Sequence, residues 1–407
     1  MKFWAILKLS WKNVWRNPTR SGVVILAVVL GTWAGIFSTG LMNGLSMQYI
    51  TNQLQTSVSH LQIHHPKYSE ESLPKYYLPN PDSLVKELNK QDFIQSVTAR
   101  SVIQGLASSA TNTFGVTLKG IDTETDSTVS NVHTYLIEGE YLDKSARNPV
   151  LIGDDLATRL KLEIRSRLVI NFQDVEGNIT AGAFRVAGIF DTPNSAFDEG
   201  TVFVNRADLN RLLGRENTVH EIVTMVDNFK NADQYRDTLA QSSSLEIRSW
   251  GDVSPSLRYI DSNVDFMLYI FMTIIAIALV FGIINTMLMA VLERTQEIGM
   301  LMAIGVNRIR TFSMVMLETL FLTMVGVPVG MILSWVTIFW VGEVGIDLSA
   351  FSQGLEEYGM STTIYPELPE GYFINIGLLM VVATLLAAIY PSIKALKLNP
   401  VQAIRKV

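Results

Sequence analysis

The sequence has no cysteine, which excludes a disulfide framework and thiolate metal sites. Charge is scarce as well: 17% of residues are Asp, Glu, Lys or Arg, against about 25% in soluble globular chains. No Gly-Lys dipeptide occurs, so there is no Walker A phosphate loop. G-x-S-x-G and H-E-x-x-H are missing too, and with them the signatures of serine hydrolases and zinc proteases. A formal net charge of −6 argues against nucleic acid as a partner. With 48% hydrophobic residues the chain is too apolar to be disordered.

The shortage of charge is local. No Asp, Glu, Lys or Arg lies between Arg20 and Lys67, and the first half of that gap, Ser21–Leu45, is strongly apolar. Similar gaps cover Phe266–Leu292, Thr319–Gly342 and Gly371–Ile393. Each reaches the ~20 residues that cross a bilayer core. The expected layout is one span, a large outer domain, then three more spans: 21–45, 266–292, 311–342 and 371–393. The first is too long for the apolar core of a signal peptide and reads as an uncleaved anchor.

The flanks set the orientation. Residues 1–20, 293–310 and 394–407 together carry +10, residues 46–265 carry −9, and residues 343–370 carry −6 with no base at all. Both termini and the short 293–310 loop are therefore expected in the cytoplasm, with 46–265 and 343–370 outside. Within 1–20, Trp4, Leu7, Trp11, Val14 and Trp15 share one side of a helical wheel, opposite Lys8, Lys12 and Arg16. That pattern predicts a helix lying in the membrane plane, its bases on anionic lipid, and Pro18 turns the chain into the first span.

Residues 46–265 read as an α+β domain. Strands are expected at Ser57–His64, Val97–Ile103, Phe114–Leu118, Val219–Val226 and Leu245–Trp250. Leu168–Phe172 and Phe184–Phe190 form a hairpin turning near Gly177. Helices are expected after Asn80-Pro81, over Asp154–Leu162, after Asn205, and over Ala232–Gln241. His60 and His64 would share a face for a metal only if helical; the stretch reads as a strand, so no metal site is expected.

The loop after the second span is the most informative segment. An amphipathic helix over about Leu292–Ile304 places Glu293 and Glu297 at i,i+4 and lets Arg294 pair with Glu297. Leu301, Met302 and Ile304 are apolar although the loop lies outside the bilayer, so the helix wants a protein partner. Gly305 is the expected stop, and Asn307 the cap of the next helix.

The run ERTQEIGMLMAIGVNRIRTF followed by Glu318, the tail YPSIKALKLNPVQAIRKV and the opening LSWKNVWRNPTRSGVVILAVVLGTWAG resemble the FtsX/MacB-type ABC transporter permeases. VLIGDDLATRLKL and FRVAGIFDTPNSAFDEGTVFVNRADLNRLL are similar to that family's Sabre lobe. The resemblance implies a multi-pass α-helical membrane protein with an α+β extracytoplasmic domain, Porter-like over 46–145 and 228–265 and Sabre-like over 146–227. It implies a coupling helix that meets a separate ABC ATPase dimer through Glu293, Arg294, Glu297, Ile298, Gly299, Met300, Met302, Ala303 and Gly305. Glu318 is then a structural acid bonded to that helix. ATP and Mg would sit in the ATPase, with no cofactor and no catalytic group on this chain.

Among the subfamilies, MNG (42–44) before SHLQIHHP (59–66) looks most like the lipoprotein-releasing permeases, although the 174–182 hairpin lacks their Pro-containing hook. Further expected partners are a second permease subunit, membrane lipid, and a periplasmic lipoprotein chaperone or an adaptor. Trp33, Phe37, Met42, Met47, Met267 and Phe271 are candidate acyl-chain contacts. Alternatives are MacB-like drug or peptide export and regulation of a cell-wall hydrolase. Gly31/Gly35, Gly40/Gly44 and Gly326/Gly330 permit close helix approach, within the chain or across a subunit seam.

Overall fold

The computed structural model describes residues 3–143, 147–241, 243–304 and 306–396. The chain divides into a helical unit, residues 1–46, 263–346 and 364–407, and a second unit, residues 47–262 and 347–363.

The helical unit contains α1 (Phe3–Arg16), α2 (Pro18–Gln53, which runs on into the second unit), α3 (Pro255–Glu293, which starts in the second unit), α4 (Thr295–Ala303), α5 (Arg308–Val344) and α6 (Glu370–Leu396). Four of these, α2, α3, α5 and α6, are long and apolar enough to cross a membrane. Pro18 starts α2, where its missing N–H costs nothing, and Ser21 ties the bend by donating to the Val14 carbonyl.

Packing inside this unit relies on one apolar stripe and on small residues. Val264, Leu268, Met272, Ala276, Leu279, Ile283, Met287 and Val291 recur every three or four positions and bury one side of α3. The opposite side shows Phe266, Ile270, Ile274, Ile277 and Phe281, the arrangement of a helix solvated by lipid. Gly326 and Gly330 bring α5 onto α2, where a Cβ would stand 2.8 Å from Val28 and 2.8 Å from the Val29 carbonyl. Gly31 faces Leu279 and Gly35 faces Met380. The glycine pairs thus serve packing within the chain. Buried hydroxyls of Thr39, Thr319, Thr323, Ser334, Thr384 and Ser392 donate to carbonyls one turn back in their own helices.

The residues just before α6 lie along α2. Asn43 donates to the Glu367 carbonyl at 2.9 Å, and the Glu367 amide donates to the Gly40 carbonyl at 3.1 Å. A Cβ on Gly44 would be 2.3 Å from the Tyr365 carbonyl oxygen. Gly44→Ala is therefore expected to cost about 1–3 kcal/mol through forced backbone displacement, read as a lowered thermal midpoint. Gly282→Ala in α3, with open space around it, is the control. Equal midpoints for the two variants would refute this packing.

The second unit holds a ten-stranded sheet: β1 (Leu61–His64), β2 (Ile94–Ser108), β3 (Thr113–Ile121), β4 (Leu136–Gly139), β5 (Pro149–Gly153), β6 (Arg167–Gln173), β7 (Ile179–Phe190), β8 (Thr201–Asn205), β9 (Glu221–Val226) and β10 (Glu246–Ser249). The order is β10-β1-β9-β2-β3-β8-β5-β7-β4, and β6 pairs with both β2 and β7. The pairings β2-β3-β8-β5-β7-β6-β2 therefore close a circuit. Ile103, Leu118, Ile152, Ile170, Phe184 and Val202 are buried in its core. An open sheet, β10-β1-β9 and the start of β2, carries a separate core around Leu61, Ile222, Leu239 and Trp250.

Strand β2 belongs to both lobes. Ile94–Arg100 pairs with β9, and Ser101–Ser108 pairs with β3. The lobe limits read from the sequence cut across this pairing: β3, inside 46–145, lies in the closed circuit, and β9, inside 146–227, lies in the open sheet. Two local expectations also change. Helix α2 continues through a π-helical turn, Leu54–Val58, so the strand begins at Leu61 instead of Ser57. Asn80 takes a left-handed conformation (φ 47°) and makes no side-chain cap bond.

Charge is buried where β2 changes partner. Arg100 Nε lies 2.6 Å from Asp126 Oδ1, and Nη1 lies 3.7 Å from Glu221 Oε1, with both contacts excluded from solvent. Burial opposes the guanidinium charge, but Asp126 and Glu221 raise its pKa above the ordinary value. Lys119 is buried beside them, and burial lowers its pKa.

Candidate functional site

Helix α4 follows α3 after a single non-helical residue, Arg294, whose carbonyl accepts from the Ile298 amide at 3.0 Å. Asn307 starts α5, its side chain accepting from the Ile309 amide at 3.3 Å. Ile298, Gly299 and part of Met302 pack inward. Glu293, Glu297, Met300, Ala303 and Ile304 face outward, Met300 at 56% and Ile304 at 77% exposure. Gly305 lies outside the described residues. Beyond the ends of the spans, α4 thus presents thioether and branched aliphatic surface beside a carboxylate.

Three elements converge behind α4. Glu318 of α5 lies 3.2 Å from Arg294 Nη1 and accepts from Asn13 Nδ2 of α1 at 2.7 Å. Arg294 Nη2 also donates to the Asn13 carbonyl at 3.2 Å. The Arg294 and Glu318 side chains are 14% and 13% exposed. A cavity of about 40 Å³ sits among Asn13, Arg294, Ile298, Met314 and Glu318. The expected Arg294–Glu297 pair gives way to this arrangement, because α1 brings its own cation: Arg16 pairs with Glu297. That bond to Glu297 raises the Arg16 pKa. Glu293 lines a separate groove with Asn17, Pro18, Val23 and Met289.

Helix α1 is three-sided. Ile6, Ser10 and Val14 are buried, Ser10 donates to the Met314 carbonyl at 3.4 Å, and Trp11 meets Phe321 edge-on at 5.2 Å. Val14 therefore faces protein and does not join the tryptophans. Asn13 and Arg16 were missed as site residues because their partners are some 300 positions away. The available signal was an amide on the border of an otherwise apolar face.

The candidate acyl-chain contacts are not alike. Trp33 stacks on Phe37 at 5.7 Å and donates to Thr337 at 3.1 Å. Phe37 and Met42 pack against the helical core, Met47 is half-buried, and Met267 and Phe271 are exposed at 41% and 45%. Two histidines are tied into the second unit. His60 Nδ1 accepts from the Val226 amide at 2.9 Å, and burial lowers its pKa to about 4. His64 is 3.0 Å from the Gln62 side chain and stacks on Tyr68 at 5.5 Å. Among the described residues no cluster of three potential ligands could hold a metal.

Residues 21–242 match the MacB-like periplasmic core domain, and residues 269–400 match the FtsX-like permease C-terminal domain. The lipoprotein-releasing system transmembrane protein LolC of Neisseria meningitidis is 24% identical over 94% of this chain and 93% of its own length. The macrolide export ATP-binding/permease protein MacB of Campylobacter jejuni is 22% identical over 98% of this chain, which spans 61% of that relative. The crystal structure of the periplasmic region of MacB from Actinobacillus actinomycetemcomitans covers 52% of this chain at a TM-score of 0.36 and 14% identity. Four apolar helices and a mixed-sheet domain, matched over residues 21–242 and 269–400 by these two families, make the chain a member of the LolC/MacB-type ABC transporter permeases.

Proposed function

We propose that this permease works by mechanotransmission: a separate ABC ATPase dimer docks on α4, and its ATP-driven closure moves the spans as levers on the outer domain. In this reading both termini and α4 are cytoplasmic, the second unit is periplasmic, and a second permease subunit completes the transporter. The observation that carries it is α4 itself, exposing Met300 and Ile304 beside Glu297 while Arg294 is anchored to Glu318. Such a surface suits a protein cleft, and the anchor suits the transfer of force. The buried hydroxyls of Thr319, Thr323 and Thr384 close on their own helices, which supports levers over a polar path.

The substrate is a lipoprotein or similar amphiphile drawn from the outer leaflet. The near full-length match to LolC supports this choice. The MacB relatives favour a second reading, export of a drug or peptide through a periplasmic adaptor. Acylated protein retained by the gently extracted complex would favour the first, and its consistent absence the second.

Docking is tested by Glu297→Lys combined with Gly299→Leu. The variant is expected to insert in the membrane at the wild-type level and to lose co-purification of the ATPase. Unchanged co-purification would overturn the assignment of α4.

A further inference from the structure

Helix α1 presents more than the face that docks on the protein. Flanking Ile6, Ser10 and Val14 stand Trp4, Trp11 and Trp15, which are 75%, 45% and 50% exposed, Trp11 with one edge on Phe321. Beside that stripe Lys8, Lys12 and Arg16 follow one another at i,i+4, all exposed. Trp next to Lys at helical spacing is matched to the boundary of a bilayer: the indoles enter the headgroup layer and the ammonium groups meet phosphate. Its location supports the same occupant, since α2 starts two residues after α1 ends and is apolar from Ser21 onward.

Arg16 belongs to two systems. It ends the basic row, and it pairs with Glu297 of α4. Both side chains of that pair are about half exposed, at 51% and 52%. An exposed pair of this kind contributes little, so another anion can take its place. The neighbouring Asn13–Glu318–Arg294 contacts are largely buried and persist. The inner tether is thus fixed and the outer one exchangeable.

We propose that α1 is an anionic-phospholipid-binding face whose Arg16 is shared between a lipid headgroup and Glu297. The lipid phosphate competes with Glu297 for the guanidinium, so headgroup composition is read out at α4. This inference is independent of what docks on α4.

The test places the full chain in nanodiscs and compares motionally restricted spin-labelled phosphatidylglycerol with spin-labelled phosphatidylcholine by electron paramagnetic resonance. The wild type is expected to prefer phosphatidylglycerol. Lys8→Gln and Lys12→Gln, both at exposed positions, are each expected to lower that preference about 3- to 5-fold. Glu297→Gln is expected to raise it about 2-fold by releasing Arg16 to the lipid. Equal association of the two lipids with the wild type would overturn the proposal. So would a preference that vanishes in Arg308→Gln/Arg310→Gln and survives in Lys8→Gln/Lys12→Gln. An unchanged preference in Glu297→Gln would overturn the sharing of Arg16.

Discussion

Arg100→Met is expected to destabilise the second unit by about 3–5 kcal/mol, the usual consequence of removing one member of a buried ion pair. Asp126 and Glu221 would then be buried carboxylates without the guanidinium that lies 2.6 and 3.7 Å from them. The damage should centre on residues 100 and 101, where β2 leaves β9 for β3. Hydrogen exchange on the full chain reads it as lost protection of β2 and β9 amides. Arg100→Met with Asp126→Leu removes one charge of each sign and leaves Lys119 with Glu221, so it should recover part of the loss. Wild-type protection in the single variant would show that these charges do not hold the junction.

The second large effect is expected at Glu318. Glu318→Leu leaves the mostly buried Arg294 without its carboxylate and takes an acceptor from Asn13. A cost of about 3–5 kcal/mol follows on the same argument, seen as a lowered thermal midpoint of the purified permease. Adding Arg294→Met replaces the pair with apolar groups and should restore the midpoint. Stimulation of the partner ATPase should stay at least about tenfold low in both variants, because each lacks the bond that fixes the start of α4. A single variant with an unaltered midpoint would refute the tether. A double variant with full ATPase stimulation would refute its mechanical part.

The spans were legible because a charge deficit of some twenty residues has few explanations other than hydrocarbon. The α4 segment was legible for a related reason: Met300 and Ile304 are apolar where water is expected. What sequence could not supply was long-range partnership. Spacing offered Arg294 a neighbour at Glu297, and that pairing is reasonable for an isolated helix. The docking of α1 instead gave Arg294 to Glu318 and Glu297 to Arg16. Lobe membership is hard to read for the same kind of reason. Most strands were located within a few residues, but alternation says nothing about which distant strand is a partner, and β2 has partners in both lobes. Glycine spacing likewise announced close packing without naming the neighbour, which proved to be Leu279, Met380 and Val28 of the same chain.

Sharing β2 also orders the assembly of the second unit in time. Every strand of the closed circuit is contained in residues 94–205, so that lobe can form its core as one contiguous stretch of chain. The open sheet brackets it. β1 at Leu61–His64 must wait for β9 at Glu221–Val226 and β10 at Glu246–Ser249, with the whole circuit lying between them. Loop closure over such a separation is slow, and until β9 arrives the Ile94–Arg100 half of β2 is an unpaired edge. The nested lobe is therefore expected to mature first. The lobe that continues directly from the first span is the last to close.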